Sequence, residues 1–203
     1  APHVKLLITS REALNVQPEW HLPIHGLPYP LPGANGADAA STAETAETYP
    51  GVQLFLARAR AVRPDFTLAD SATPHVVAIC RHVDGMPLGI ELAAAQLRHY
   101  ECSEIAEAIG RNLDFLAATY RDATPRHGSL RAVFDYSWNL LSSPIQTMFA
   151  ALSVFAGSFG QAEALDVAGA TRSTLNALLD KSLLRRAGAD RYVLHELLRQ
   201  YAG

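Results

Sequence analysis

The last third of the chain leaves little choice of fold. Leu175, Leu178 and Leu179 recur at helical spacing over residues 173–182, which predicts an amphipathic helix. Two short runs follow, Leu183-Leu184-Arg185-Arg186 and Arg191-Tyr192-Val193-Leu194, separated by Ala187-Gly188-Ala189-Asp190. Strand-forming residues on either side of a small, glycine-containing segment predict a β-hairpin. Upstream, Leu130, Val133, Phe134, Ser137, Trp138 and Leu141 keep a helical period. Ser143-Pro144-Ile145-Gln146 reads as a capping box with proline at the first helical position, opening a helix with Ile145, Met148, Phe149 and Leu152. A shorter helix lies between Gly160 and Gly169. Helices followed by a terminal hairpin, in this order, outline a winged helix over residues 126–203.

The chain opens differently. Val4-Lys5-Leu6-Leu7-Ile8-Thr9 is an apolar run rich in β-formers, as expected of a strand buried on both faces of a parallel sheet. One strand cannot make a sheet, so the sequence reads as a piece of a longer protein. Trp20 to Pro32 alternates apolar residues with prolines and predicts an extended connector, because proline cannot donate to a ladder. Gly33 to Thr48 is small, polar and low in complexity, which predicts a flexible loop.

A helical block then runs from Val52 to Tyr120. Leu54, Ala57 and Ala61 with Phe55 and Val62 mark one helix, and Val76, Ile79, Cys80 and Val83 mark a second. Asp84-Gly85-Met86-Pro87 starts a third, continued by Leu88, Leu92 and Ala95, and Ser103 is placed to cap a fourth with Ile105, Ile109 and Leu113 facing inward. The expected fold is therefore mainly α, in four parts: a remnant α/β segment (1–32), the loop (33–48), a small helical bundle (49–125) and the winged helix (126–203).

Composition narrows function. Of the 203 residues 49% are hydrophobic, enough for a sizeable core. No apolar run reaches the roughly 18 residues of a membrane span, and no signal-peptide pattern opens the chain, which points to the cytoplasm. The two cysteines, Cys80 and Cys102, are expected as buried free thiols. His21 and His25 stand four apart, but Pro23 between them disfavours the helix a metal pair would need. A Gly-x-Ser-x-Gly elbow and a Gly-x-x-x-x-Gly-Lys-[Ser/Thr] phosphate loop are both missing. Leu178-Leu179-Asp180 mimics an acidic strand end, yet its leucines place it on a helix. The net charge of -3 argues against a surface built to neutralise phosphates.

Three short motifs, "LLITSR", "GMPLGIELAAA" and "YVLHELLRQYA", stand in this order along the chain. Together they resemble the second half of the nucleotide-binding module of STAND-class P-loop ATPases, of the NB-ARC type found in bacterial transcriptional regulators. The resemblance implies a nucleotide-dependent signalling switch, binding ATP or ADP with Mg in the intact protein and turning over slowly, with neither held by this segment alone. Its site residues would be Thr9 and Arg11 at the strand end, with Arg11 reading a terminal phosphate. Gly85, Pro87 and Leu88 would lie at the adenine, Pro87 packing on the base, and His195 would hold the β-phosphate of ADP. It further implies partners in an upstream ATPase core and downstream effector or repeat domains, and oligomerisation when active.

Each residue also has a plain reading. Arg11 suits a surface ion pair, Pro87 the start of a helix, and His195 a helix cap. Two other functions stay open beside the switch. One is a DNA-binding winged helix, supported by Arg185, Arg186 and Arg191 but weakened by a third helix, Ser173 to Ser182, with little to touch phosphates or bases, so that direct DNA binding is not expected. The other is a protein-interaction scaffold indifferent to nucleotide.

Overall fold

A computed structural model of the chain describes residues 5–10, 14, 16–17, 19–31, 42–117 and 129–203. In chain order these form α1 (Ala43–Ala46), α2 (Pro50–Val62), α3 (Thr73–His82), α4 (Pro87–Ala95), α5 (Cys102–Arg111), α6 (Leu130–Trp138) and α7 (Ser143–Leu152). They continue with β1 (Phe159–Gly160), α8 (Gln161–Ala168), α9 (Arg172–Asp180), β2 (Arg185–Arg186), β3 (Arg191–Val193) and α10 (Glu196–Ala202). The protein is thus mainly α-helical with one small sheet, and it divides into two compact units. The larger holds Ile24–Leu141 and Glu196–Ala202; the smaller is built on Ser142–His195.

In the larger unit α2 packs chiefly on α4, and α3 on α5. The buried face of α2 is the row Val52, Phe55, Leu56 and Ala59; of the predicted set Leu54, Ala57 and Ala61 with Phe55 and Val62, Phe55 lies on it, whereas Ala57 and Ala61 are exposed. Both rows satisfy a period of 3.6, and alanine tolerates either side, so local pattern alone could not choose. The α3 stripe is as predicted, with Val76, Ile79, Cys80 and Val83 fully buried. Helix α4 buries almost its whole circumference from Gly89 to Ala95. Helix α5 is capped by Glu101 rather than Ser103: Glu101 N–H donates to Glu104 at 2.8 Å, closing a reciprocal capping box.

Helix α10 is fastened to this unit by polar and aromatic contacts. The Tyr201 hydroxyl donates to Asp135 at 2.6 Å, and its ring meets Phe134 and Trp138 edge-on at 5.8 and 5.6 Å. Arg131 lies 5.4 Å from the centre of the same ring and pairs with Asp114. The Gln200 amide donates to the carbonyls of Ile109 and Gly110 at the end of α5.

Three local expectations need correction. Lys5–Ser10 has no regular structure, and Leu6 and Leu7 are 80% and 95% exposed; a strand needs a neighbouring strand, and among the described residues the sheet is made of β1, β2 and β3 alone. Of the stretch read as a flexible loop, residues 33–41 lie outside the described residues, while Thr42 caps α1 and Ala46 is fully buried. Helix α7 begins at Ser143, so Pro144 takes its second position, and its cap Ser142 makes no side-chain bond.

Both cysteines are free and buried. Burial pushes the Cys80 thiol up to about 12, and burial together with Glu101 pushes that of Cys102 to about 11, so neither is a thiolate at neutral pH. Among the described residues, no helix is long and apolar enough to cross a membrane.

Acid sensitivity follows from the α3–α10 region. Burial, then Arg81, lowers the His82 pKa below 6.5, against an opposing pull from Glu196. The hydrogen bond from Arg199 is the largest cause of the drop in Glu196 below 4.5. In both cases the unfolded chain binds the proton more readily, so the stabilisation is present above the unfolded pKa and lost as pH falls through the folded one. Urea midpoints should therefore fall from about pH 6.5 downward. His82→Gln should flatten the upper part of that decline, and Glu196→Gln the part below about pH 4.5; a profile indifferent to His82→Gln would refute this assignment.

Candidate functional site

Within the smaller unit, α8 and α9 form a helix-turn-helix. Gly169 adopts φ +63°, and its N–H donates to Leu165 at 2.9 Å, ending α8 in a left-handed cap. Fully buried Ala170 and the N-cap Thr171 complete the turn, and Thr171 accepts from the Thr174 N–H at 3.4 Å. Helix α9 sinks Leu175 and Leu178 into the core. Ser182, at φ +58°, then reverses the chain so that Leu183 N–H reaches the Leu178 carbonyl at 2.9 Å, delivering the backbone into β2.

The sheet has the order β1-β3-β2 with antiparallel neighbours, Phe159 and Arg186 both opposite Tyr192. Phe159, fully buried, stacks on Phe155 at 4.5 Å and lies 6.2 Å from Tyr192. This aromatic column anchors the hairpin, whose tip, Ala187–Asp190, is exposed and closed by Ala187 N–H to Arg191 at 2.9 Å. Helices α7, α8 and α9 with this hairpin make a winged-helix arrangement.

Four exposed arginines surround it, in different states. Arg191 is committed inward: Nε donates to Ser158 Oγ at 2.9 Å, the guanidinium also holds the Ser158 carbonyl, and Glu163 stands 3.8 Å away. Arg186 lies 5.8 Å from the centre of the Tyr192 ring and reaches the Ala189 carbonyl at 3.5 Å, which shapes the wing without neutralising the charge. Arg185 is exposed beside it, and Arg172 is exposed in the first turn of α9. The helix predicted over Ser173 to Ser182 leaves Arg172 out; the observed helix starts one residue earlier and includes it. The overlooked signal was Thr171, a residue type preferred at an N-cap.

The residues singled out from the sequence fall elsewhere. Arg11 lies outside the described residues; Thr9 is exposed in an irregular segment. His195 is half-buried immediately before α10. Gly85, Pro87 and Leu88 share one turn of the larger unit, respectively buried, exposed and half-buried. Asp84 and Gly85 are both left-handed, at φ +49° and +65°. Leu27 N–H donates to the Gly85 carbonyl at 2.8 Å, the Tyr29 hydroxyl donates to Asp84 at 2.8 Å, and Gly51 N–H donates to the Pro28 carbonyl at 2.9 Å. A Cβ built on Gly85 would sit 2.0 Å from the Leu27 oxygen, and one on Gly26 would sit 2.0 Å from the Asp84 oxygen. The close backbone approach that demands glycine here is made by the chain's own connector.

A putative HTH-type transcriptional regulator of Mycobacterium tuberculosis is 34% identical over 213 residues, covering 99% of this chain and 22% of that protein. A putative HTH-type transcriptional regulator of Mycobacterium bovis matches with the same identity and coverage. An uncharacterized Mycobacterium tuberculosis protein is 33% identical over 160 residues, covering 78% of this chain and 36% of its own length. The chain thus spans only 22% to 36% of the length of these curated relatives. No family model matches the chain, and no solved structure matches it.

The two relatives at 34% identity overturn the resemblance to a STAND-class ATPase of the NB-ARC type, since they are described as HTH-type transcriptional regulators and not as signalling ATPases. The nucleotide-switch function rested on that resemblance and is withdrawn with it. The connector seated on Gly85 supplies the physical reason for the motif that suggested it.

Proposed function

We propose that the chain is a segment of a bacterial, cytoplasmic HTH-type transcriptional regulator and that its winged-helix unit contacts duplex DNA. The observation carrying this reading is the α8–turn–α9 motif flanked by a hairpin, with Arg172, Arg185 and Arg186 exposed on its helix start and wing. The description of the mycobacterial relatives supports it. It corrects the expectation that this segment leaves DNA alone. That expectation used the whole-chain charge of -3, whereas the cations Arg172, Lys181, Arg185, Arg186 and Arg191 all fall within twenty residues of helix and wing. Phosphates are sensed locally, within about a Debye length of 10 Å, so a whole-chain average hides the patch.

Titration of a labelled duplex with the chain tests the reading. Three arginine–phosphate contacts predict a log–log salt slope near -3, and hence a loss of roughly 40-fold in affinity between about 50 and 200 mM salt. Replacing Arg185 and Arg186 together by alanine should reduce that slope by about two. Failure to bind any duplex at about 50 mM salt would refute the proposal.

A further inference from the structure

Helix α9 presents one polar row to solvent. Leu175 and Leu178 face the core, whereas Arg172, Ser173, Asn176 and Asp180 are exposed. Residues 172, 176 and 180 follow one another at intervals of four, so they line a single side. The neighbouring hydroxyls are already used: Thr174 Oγ1 donates to the Thr171 carbonyl at 2.8 Å, and the two threonine oxygens lie 3.2 Å apart. Among the described residues, the side chains of Arg172, Ser173 and Asn176 make no hydrogen bond or ion pair within the protein.

The two ends of the row differ in charge. Arg172 adds a cation to the positive N-terminal end of the helix, and Asp180 adds a carboxylate to the negative C-terminal end. A polyanionic duplex therefore favours approach through the first two turns, which brings Asn176 to the base edges and keeps Asp180 away from them. A carboxamide holds a donor and an acceptor side by side, the match for N6 and N7 of adenine in the major groove. Ser173 is shorter and pairs with either kind of edge, so it discriminates weakly.

We propose that Asn176 is the residue of α9 that reads sequence, recognising adenine in the major groove, and that Arg172 is a phosphate anchor one turn earlier; this rests on the DNA-binding reading above. The test is selection of bound duplexes from a randomised pool by the chain, followed by affinities for the enriched duplex and for an unrelated one. The enriched site should contain a fixed A·T pair. Asn176→Ala should lower affinity for it about tenfold or more while changing the unrelated duplex by less than about twofold. Arg172→Ala should weaken both alike. Both positions are exposed, and unchanged melting temperatures would certify the fold of each variant. Enrichment without a fixed A·T pair, or a preference that survives Asn176→Ala, would overturn the assignment while leaving DNA binding intact. A wild-type chain that retains no duplex would sink the DNA-binding reading itself.

Discussion

Gly85→Ala should cost the protein about 3 kcal/mol or more, lowering its melting temperature by on the order of 10 °C. Two effects add. The residue sits at φ +65°, where an L side chain is strained by about 1 kcal/mol. The new methyl would also meet the Leu27 carbonyl oxygen at 2.0 Å and its nitrogen at 2.8 Å, and both are backbone atoms that cannot rotate aside. Relief requires lifting the connector, which sacrifices the 2.8 Å bond from Leu27 N–H to the Gly85 carbonyl and leaves buried polar groups unpaired. Gly169→Ala is the control, because Gly169 shares the backbone angle, at φ +63°, but a Cβ there meets nothing within 4 Å. Its loss should be confined to the strain, about 1 kcal/mol. Urea denaturation of the two variants separates the effects. Equal losses would show that backbone angle, not the Leu27 approach, makes Gly85 necessary.

The same turn shows what a sequence can and cannot disclose. Asp84-Gly85-Met86-Pro87 announces a tight reversal and a helix start, and both are present. It does not announce what approaches the glycine, because Leu27 is 58 residues away in sequence and the contact is purely tertiary. A resemblance filled that gap with a ligand. The α3 stripe and the terminal hairpin were legible because their periods and turn residues are local properties. The inward face of α2 was not, since two rows of the same period compete and only the packing against α4 decides between them. Glu101 escaped notice as a cap because serine is the commoner choice and Ser103 stood two residues on. For the interface, Arg185, Arg186 and Arg191 were visible as a basic cluster. That Arg191 is spent on Ser158 and Glu163, while Arg172 opens α9, depends on where β1 and the helix start fall in space.

Phe159→Ala should weaken duplex binding at least tenfold without touching a single residue that could meet DNA. The ring is fully buried, stacks on Phe155 at 4.5 Å and stands opposite Tyr192 in the β1–β3 register. Its removal empties the centre of a small core, at a cost of about 3–5 kcal/mol, within the 54-residue segment Ser142–His195 on which the smaller unit is built. Tyr192 then loses its neighbour on one side, and the Arg186 guanidinium, placed 5.8 Å from the centre of that ring, loses its platform. Affinity for duplex should fall at least tenfold at about 50 mM salt, the scale of losing two phosphate contacts. Phe159→Leu keeps the site apolar and nearly filled, so it should retain most of the binding at a cost of about 1–2 kcal/mol in stability. Melting and duplex titration of the two variants are read together. Binding that survives in Phe159→Ala while its melting temperature falls would mean that the wing takes no part in contacting DNA.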